Sequence, residues 1–275
     1  MGTPGSGPIA AGQAVIGLAH PGEMGAAVGR CLARGGHRVL WASQGRSRET
    51  AERAGRAGLA DAGTIGELAG QADVFLSICP PHAAVEVATA AHGFRGRYVD
   101  ANAIAPETAR EVAAIVEAGG AAYVDGGIIG PPPEAAGSTR LYLSGAAAGS
   151  VAGLFAGTAL DARVVAAGPF AASAVKLAYA AWTKGSAALL LAARAFAEAQ
   201  DVAGPLLAEW ELSQPALAAR LAGAESAAAA KGWRWTAEME EIAAAMIAAG
   251  LPGGFGLAAA EIYRARPRPA SGSAT

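Results

Sequence analysis

The feature that most constrains this chain is a change in sequence pattern near residue 166. Before it, short runs rich in β-branched and aromatic residues alternate with Ala-rich stretches of helical spacing. After Gly168 and Pro169 those runs stop, and Ala, Leu, Glu and Trp at helical spacing remain. Such alternation is typical of a mostly parallel sheet covered by helices. The predicted strands are AVIGL, HRVLWA, DVFLSI, RYVDA, AYVDGGII, RLYLSG and ARVVAA.

The length of the chain favours two domains. Its 275 residues, 53% of them apolar, can form one large core or two modest ones. We expect an α/β domain over residues 14–167 and an all-helical domain over residues 168–264. The remaining segments, 1–13 and 265–275, lack an apolar face and are predicted to be flexible or disordered tails. The first of them does not resemble a signal peptide, which favours a cytoplasmic protein.

Charge and composition exclude several classes of partner. The net charge is −2 and there is no basic run, so nucleic acid is not expected to bind. The most apolar helical stretch is interrupted by Lys184 and Arg194, which favours a buried helix over a membrane span. Neither the two cysteines, Cys31 and Cys79, nor the four histidines have the spacing of metal ligands, so we expect no metal and place the histidines on surfaces or loops.

The stretch VIGLAHPGEMG resembles a dinucleotide-binding fingerprint whose turn has been lengthened. Three additional residues, 19–21, separate the first glycine from the second. A phosphate-binding turn needs glycines where the strand ends, where the backbone meets pyrophosphate and where the helix packs on the strand. The alternative is a glycine-rich turn without a ligand, but its place at the first strand of a βαβ unit favours a cofactor site. The residues expected around the cofactor are Gly17, Gly22, Glu23, Met24 and Gly25.

The end of the second predicted strand indicates the type of nicotinamide cofactor. An acidic residue there would bind a free ribose 2′-hydroxyl, but the chain reads SQGRSRE. Ser43, Arg46, Ser47 and Arg48 instead offer hydroxyls and guanidinium groups, which suit a 2′-phosphate. The sequence therefore predicts NADPH rather than NADH. The alternative is that the two arginines belong only to a solvated loop beside a helix start.

Several stretches together resemble the superfamily of β-hydroxyacid dehydrogenases and 6-phosphogluconate dehydrogenases, which includes the imine reductases. Besides the two described above, they are SICPP, VDANAIAP, YVDGGIIGPPP and GPFAASAVKLAYAAW, and the resemblance runs from about residue 14 to 264. More narrowly, the chain is similar to an imine-reductase-like branch with a helical C-terminal domain. The resemblance implies a Rossmann-type NAD(P)-binding domain joined to the helical domain by a long interdomain helix. It also implies a homodimer whose site lies between the cofactor domain of one chain and helices of its partner.

The resemblance assigns roles to individual positions. Lys176 matches the catalytic lysine of the dehydrogenases, but the asparagine that follows four positions later is Ala180 here. The serine that holds a substrate carboxylate in the dehydrogenases falls on Ile129, whereas DGGI is similar to the D-G-A-I stretch of the imine reductases. An apolar wall of Ile128, Ile129 and Pro131 suits a hydrophobic ketone or imine better than a hydroxyacid.

The helix that contains Lys176 has a polar stripe. Ser173, Lys176, Tyr179 and Thr183 lie near one face of a helix otherwise rich in Ala, Val and Leu. Hydride transfer to C=O or C=N must be matched by a proton, which Lys176 can donate, with Tyr179 as the second candidate and Ser173 as a substrate contact. The alternative is that Lys176 only extends its stem over apolar surface.

Two further groups of residues are predicted to border the site. Asn102, Cys79 and Pro80 follow strands whose carboxyl ends face the ligand crevice of an α/β sheet, where Asn102 can contact the ribose or the substrate. Trp182 and Trp210 are candidates to line an apolar substrate pocket, although core or interface positions are the commoner fate of tryptophan.

The sequence favours an NADPH-dependent oxidoreductase that transfers hydride to a carbonyl or imine carbon of a small, largely apolar substrate. Oxidation of a small hydroxyacid by a β-hydroxyacid dehydrogenase is the nearest alternative. A non-catalytic NADP(H)-binding sensor is an alternative of another class, which the missing asparagine and serine favour. Retention of Lys176 favours the enzyme.

Overall fold

A computed structural model of the protein describes residues 14–266, and the predicted tails lie outside this range except for residues 265 and 266. All seven predicted strands are present, and a two-residue strand, β3, was not predicted. The strands are β1 (Val15–Leu18), β2 (Arg38–Trp41), β3 (Ala60–Asp61), β4 (Val74–Ser77), β5 (Arg97–Asp100), β6 (Ala122–Ile129), β7 (Thr139–Ser144) and β8 (Leu160–Val164).

The strands form one sheet in the order β3-β2-β1-β4-β5-β6-β7-β8. The first six are parallel, β7 is antiparallel to β6, and β8 is parallel to β7. The order from β3 to β6 is that of a dinucleotide-binding fold, in which the ligand crevice lies where the strand order reverses, beside β1 and β4. The predicted Rossmann-type fold is thereby confirmed.

Ten α-helices accompany the sheet in the described part of the chain. Residues Pro81–Ala83 form a 3-10 turn before the fourth. The helices are α1 (Glu23–Arg34), α2 (Arg48–Arg56), α3 (Ile65–Gln71), α4 (Ala84–Ala90), α5 (Pro106–Ala118), α6 (Ala148–Gly153), α7 (Ala171–Ala199), α8 (Ala203–Ser213), α9 (Leu217–Ala248) and α10 (Gly254–Arg264).

The sheet buries apolar side chains on both faces because successive residues of a strand point to opposite sides. Ile16 and Leu18 of β1 belong to a cluster that includes α1, α2 and α6 residues, whereas Phe75 and Tyr98 belong to a cluster with α3, α4 and α5 residues. The rings of Phe75 and Tyr98 stack with centroids 5.1 Å apart. Helices on both faces are what the alternating sequence pattern predicts.

The chain divides into two compact units, one through Lys176 and one from Leu177 onward. The division falls inside α7, whereas the boundary predicted at residues 167–168 precedes that helix. In the second unit α9 and α10 pack closely. A Cβ added at Gly256 would lie only 2.9 Å from the Cβ of Ala243. The second unit, as far as the structure describes it, is all helix, as predicted.

None of the helices within residues 14–266 is both long and apolar enough to cross a membrane. Over the same residues, no group of three or more His, Cys, Asp and Glu side chains has the arrangement of a metal site.

Candidate cofactor and catalytic site

The turn from β1 to α1 lies at the carboxyl edge of the sheet. Gly22 precedes α1 with φ of −66°, and no side chain caps this helix end. A Cβ at Gly22 would have no atom within 4 Å, so the space above the helix N-terminus is open. Glu23 and Met24 form the first residues of the helix. The first backbone N–H groups of a helix lack partners within it and attract anions, so this end can hold a pyrophosphate.

Two other glycines of the fingerprint permit close packing. A Cβ at Gly25 would lie 2.1 Å from the carbonyl oxygen of His20, so α1 can press against the turn only because this residue is glycine. Gly17 lies inside β1 rather than in the turn, and its Cβ would meet Leu68 and Ala72 at 3.0 Å. Gly17 therefore allows α3 to approach the strand.

The loop after β2 brings Arg46 to the same turn. Gly45 has φ of +73°, and the N–H of Arg46 donates to the carbonyl of Ser43 over 3.0 Å, which closes a tight turn. The Nη1 of Arg46 lies 2.5 Å from Nε2 of His20, and Nη2 lies 3.4 Å from Nδ1. The Nε of Arg46 is buried without a hydrogen-bond partner.

Burial and the charge of Arg46 lower the pKa of His20 to about 4. The ring is therefore neutral at physiological pH and offers a lone pair to the guanidinium. Burial also lowers the pKa of Arg46, which nevertheless remains a cation. The turn thus holds a fixed positive charge beside the open helix end.

The other residues predicted at the 2′-phosphate have partners of their own. The Oγ of Ser47 caps α2 by accepting from the N–H of Thr50 over 3.2 Å. Arg48 is 93% exposed and its Nε donates to Glu52 over 2.8 Å. A hydrogen bond from Ser43 helps to lower the pKa of Asp61 at the end of β3. Arg46 is thus the member of this group that contacts the β1–α1 turn.

Asn102 connects the ends of β4 and β5. Its side chain is buried, with Oδ1 accepting from the N–H of Cys79 over 2.6 Å and Nδ2 donating to Oγ of Ser77 over 3.0 Å. Its own N–H donates to Oδ1 of Asp100 over 3.0 Å. Asn102 therefore fixes the backbone that leads to Pro80, at the crevice edge. Burial raises the pKa of Cys79 to about 12, so its thiol stays protonated.

A second buried network anchors the start of α7. Asp125 of β6 accepts from Oγ of Ser144 over 2.9 Å, from the N–H of Ser173 over 2.9 Å and from Oγ of Ser173. The Oγ of Ser144 also accepts from the N–H of Ala172 over 3.0 Å. Burial raises the pKa of Asp125 despite these donors. The hydroxyl of Ser173, predicted as a substrate contact, is thus used to hold the helix to the sheet.

Lys176 lies one turn after this anchor. A Cβ at Gly127 would come within 2.7 Å of the carbonyl oxygen of Ala172 and within 2.9 Å of the Cβ of Lys176. The helix can therefore lie directly against β6 only because Gly127 has no side chain. Lys176 is half-buried, and its backbone position is fixed by Asp125 on one side and by Gly127 on the other.

The predicted apolar substrate wall is mostly packed into the sheet. Ile128 is 8% exposed and belongs to the core cluster on the α1 side, opposite Leu141 of β7. Ile129 is also buried. Pro131 is exposed, and its carbonyl accepts from Oγ1 of Thr139 over 2.5 Å. Pro131 is therefore the member of this group with surface open to a ligand.

The helical unit contains an apolar cavity of about 670 Å³. Its lining includes both tryptophans predicted at the substrate, Trp182 and Trp210, together with Trp235. The Nζ of Lys184 pairs with Oε2 of Glu238 and lies 5.5 Å from the ring centroid of Trp235. Tyr179, the second candidate donor, is 48% exposed and is not among the lining residues.

Sequence reasoning did not identify His20 or the pair of Lys184 and Glu238. His20 lies 26 residues from Arg46, and Lys184 lies 54 residues from Glu238, so neither pair has a local pattern. The one available signal was the lengthened turn, which places a polar ring between Ala19 and Pro21.

Comparisons with known proteins agree with this geometry. Residues 13–154 match the family described as the NAD binding domain of 6-phosphogluconate dehydrogenase. Residues 197–265 match a domain of unknown function, DUF1932. No curated protein sequence matches the chain.

Solved structures share the fold over most of the chain. The conserved protein MTH1747, of unknown function and described as similar to 3-hydroxyacid dehydrogenases, is 26% identical, with a TM-score of 0.70 over 90% of this chain and 95% of its own. The 3-hydroxyisobutyrate dehydrogenase of Mycobacterium tuberculosis is 19% identical, with a TM-score of 0.68 over 91% and 92%. A reductive aminase from Aspergillus terreus, in complex with NADPH and ethyl-5-oxohexanoate, is 21% identical, with a TM-score of 0.60 over 92% and 93%.

Proposed function

Because the chain belongs to the family of the NAD binding domain of 6-phosphogluconate dehydrogenase and is an NAD(P)-dependent oxidoreductase, we propose a specific reaction for it. The protein transfers hydride from NADPH to a carbonyl or imine carbon of a small, largely apolar substrate. The observation that carries this proposal is the placement of Lys176, which Asp125 and Gly127 fix against the sheet.

The choice of NADPH rests on Arg46. No acidic residue follows β2 within the loop that would hold a ribose 2′-hydroxyl, and Arg46 supplies a cation there. A guanidinium pairs with phosphate oxygens in a bidentate manner, so a 2′-phosphate is the partner that we propose for Arg46. Arg48, which pairs with Glu52 at the surface, has a smaller part in this proposal.

The remaining cofactor contacts follow from the open helix end. The backbone at Gly22, Glu23 and Met24 holds the pyrophosphate, and Gly25 lets α1 approach the turn. Cys79 and Pro80 border the nicotinamide side of the crevice, where Asn102 fixes their backbone. The bound nicotinamide supplies the hydride.

The protein supplies the proton. Hydride arrival leaves negative charge on the substrate oxygen, or on the nitrogen of an imine, and Lys176 is the half-buried cation positioned to donate to it. Ser173 and Asp125 act through the helix and are positioning residues. Tyr179 is the second candidate for the donor, and Asn102 is a candidate to position the reacting groups.

The apolar lining of the helical unit supports an apolar substrate. A cavity of about 670 Å³ lies within the range of small-molecule sites, and the rings of Trp182, Trp210 and Trp235 favour flat or bulky apolar groups. The A. terreus reductive aminase, which shares this fold, was solved with NADPH and ethyl-5-oxohexanoate, a largely apolar ketoester.

A second copy of the chain is part of the proposal. Large apolar side chains remain exposed along the helices of the second unit, including Leu189, Phe196 and Phe255 at 68%, 68% and 79%. Several large exposed apolar side chains on one set of helices are typical of an interface. We propose a homodimer in which helices of the partner complete the substrate site.

A substrate screen tests the reaction. Purified protein is mixed with NADPH and ketones, ketones plus amines, or preformed imines, and separately with NADP⁺ and small hydroxyacids, while nicotinamide absorbance is followed. Reduction of apolar ketones or imines is expected. Turnover confined to hydroxyacids would identify a hydroxyacid dehydrogenase instead. Tight NADPH binding without turnover on any class would identify a sensor.

A further inference from the structure

The three additional residues of the β1–α1 turn have a structural consequence. They bring the ring of His20 against the guanidinium of Arg46, with Nη1 at 2.5 Å from Nε2 and Nη2 at 3.4 Å from Nδ1. A turn shorter by residues 19–21 would contain no side chain at this place. The lengthened fingerprint and the arginine after β2 are therefore two parts of one arrangement.

The backbone of this turn is held from two sides. α1 lies so close that only glycine fits at position 25, where a Cβ would meet the carbonyl oxygen of His20 at 2.1 Å. On the other side, Nη1 of Arg53 on α2 donates to the carbonyl of Pro21 over 3.4 Å. The ring of His20 therefore projects from a constrained backbone, as a fixed acceptor needs to do.

The guanidinium of Arg46 is held by one edge, and its Nε lacks a hydrogen bond. Cys79, at the end of β4, and Glu86, on α4, are the other ionisable groups that act on Arg46. Cys79 is protonated, so the ring of His20 is the direct partner that orients the guanidinium. A guanidinium oriented in advance loses less side-chain entropy when it binds a phosphate.

We propose that His20 is a specificity-determining residue, whose ring positions Arg46 for the 2′-phosphate of NADPH. This inference rests on the proposed NADPH dependence and deepens it. His20 acts on the cofactor only through Arg46 and is therefore a positioning residue. NADH has no 2′-phosphate, so its binding does not use Arg46 and is insensitive to the orientation of the guanidinium.

The test compares Kd values for NADPH and NADH, measured by nicotinamide fluorescence with the full chain. His20→Leu removes the acceptor, whereas His20→Gln keeps a neutral acceptor near the position of Nε2. We expect His20→Leu to weaken NADPH binding about 10-fold, which corresponds to about 1.4 kcal/mol, with NADH binding unchanged. His20→Gln recovers most of the lost affinity. In the Arg46→Ala background, His20→Leu has no further effect, because the group that it positions is gone.

The outcomes separate this inference from the proposed cofactor choice. A wild-type protein with equal affinity for both cofactors would overturn both. A wild-type preference for NADPH that survives in His20→Leu would overturn the role of His20 alone. Parallel weakening of NADPH and NADH in His20→Leu would show a structural role in the turn and would also overturn it. Additive effects of His20→Leu and Arg46→Ala would show that the two residues act independently, against the inference.

Discussion

The two compact units differ in how many large apolar side chains they leave exposed. In the unit that ends at Lys176, the described residues leave one large apolar side chain exposed, Val164 at 53%, and the sheet buries clusters on both faces. In the helical unit, α8 has no buried residue. The exposed large apolar residues of the helical unit are Tyr179, Trp182, Leu189, Phe196, Val202, Leu212, Ile247, Leu251, Phe255 and Leu257.

This difference bears on which sites a single chain can form and which surfaces another molecule must cover. The first unit holds the open helix end, Arg46 and Lys176, so we propose that one chain supplies the cofactor site. The second unit exposes apolar surface that water penalises by about 25 cal/mol per Å². A partner chain or substrate that covers this surface gains that free energy. We therefore expect substitutions in the first unit to affect cofactor binding and catalysis. Substitutions in the second unit should affect dimer formation.

The largest effect is expected at Lys176. Lys176→Met keeps most of the packing volume and removes the charge, and general acid catalysis contributes about 10²–10⁴-fold. Turnover should fall by at least about 100-fold, while the Kd for NADPH changes little. Steady-state kinetics with the substrate from the screen, together with fluorescence titration, measures both.

Tyr179→Phe is the matched change for Lys176→Met. It removes only a hydroxyl from a half-exposed ring, and it should leave turnover close to that of the wild type. Normal turnover in Lys176→Met combined with loss in Tyr179→Phe would assign proton donation to the tyrosine. Normal turnover in both would indicate that water donates the proton.

The next effect tests assembly by placing a charge in each unit. Phe196→Glu lies in the exposed apolar surface of the helical unit, and Val164→Glu lies at the exposed apolar position of the first unit. The dissociation constant of the proposed dimer should rise by about 100-fold or more for Phe196→Glu, as expected for a buried interface charge costing about 3 kcal/mol, and stay unchanged for Val164→Glu. Sedimentation velocity over a concentration series measures both. A monomeric wild type at micromolar concentration would refute the shared site.

A smaller effect distinguishes Gly22, which precedes α1, from Gly25, which lies inside α1. Gly25→Ala places a methyl group 2.1 Å from the carbonyl of His20, and overpacking of this kind costs about 1–3 kcal/mol, so the Tm should fall. Gly22→Ala points into open space at φ of −66°, so its Tm should stay and its NADPH affinity should drop. Thermal unfolding and cofactor titration of both variants give the comparison. A lower Tm in Gly22→Ala with unchanged NADPH affinity would contradict an open phosphate site at the N-terminus of α1.

A pH-dependent effect on stability concerns the buried carboxyl of Asp100. Burial raises its pKa from 3.8 to about 7, so between these values the folded protein keeps a proton that the unfolded chain has lost. Stability relative to Asp100→Asn should therefore fall as the pH rises from about 4 to about 7, by no more than about 1.4 kcal/mol per pH unit, and level off above. Urea unfolding at several pH values measures it. Parallel pH profiles for the two proteins would contradict the raised pKa.

Local patterns in the sequence were enough to predict the fold. Seven of the eight strands show β-rich runs bounded by turn residues, and only β3, with two residues, is too short for such a signal. The helical second unit could be predicted from local patterns for the same reason. The glycine fingerprint could also be recognised, and Gly17, which the predicted strand AVIGL contains, lies inside β1.

Long-range pairs in the site could not be predicted. Asp125 meets Ser173 across 48 residues, and no periodicity within either segment indicates the contact. Ser173 was therefore expected to face the substrate. Arg46 and Arg48 look equivalent in the sequence, but the turn at Gly45 sends Arg46 to His20, whereas Arg48 begins α2 and pairs with Glu52. Which side chains meet depends on tertiary packing.

Titration of the wild-type protein with NADPH and with NADH tests the proposed cofactor preference. We expect NADPH to bind at least about 10-fold more tightly, a difference of about 1.4 kcal/mol. Arg46→Ala should abolish most of this preference, and the matched variant Arg48→Ala should retain it. Equal wild-type affinities for the two cofactors, or a preference that Arg46→Ala leaves intact, would contradict the proposed role of Arg46 in binding the 2′-phosphate.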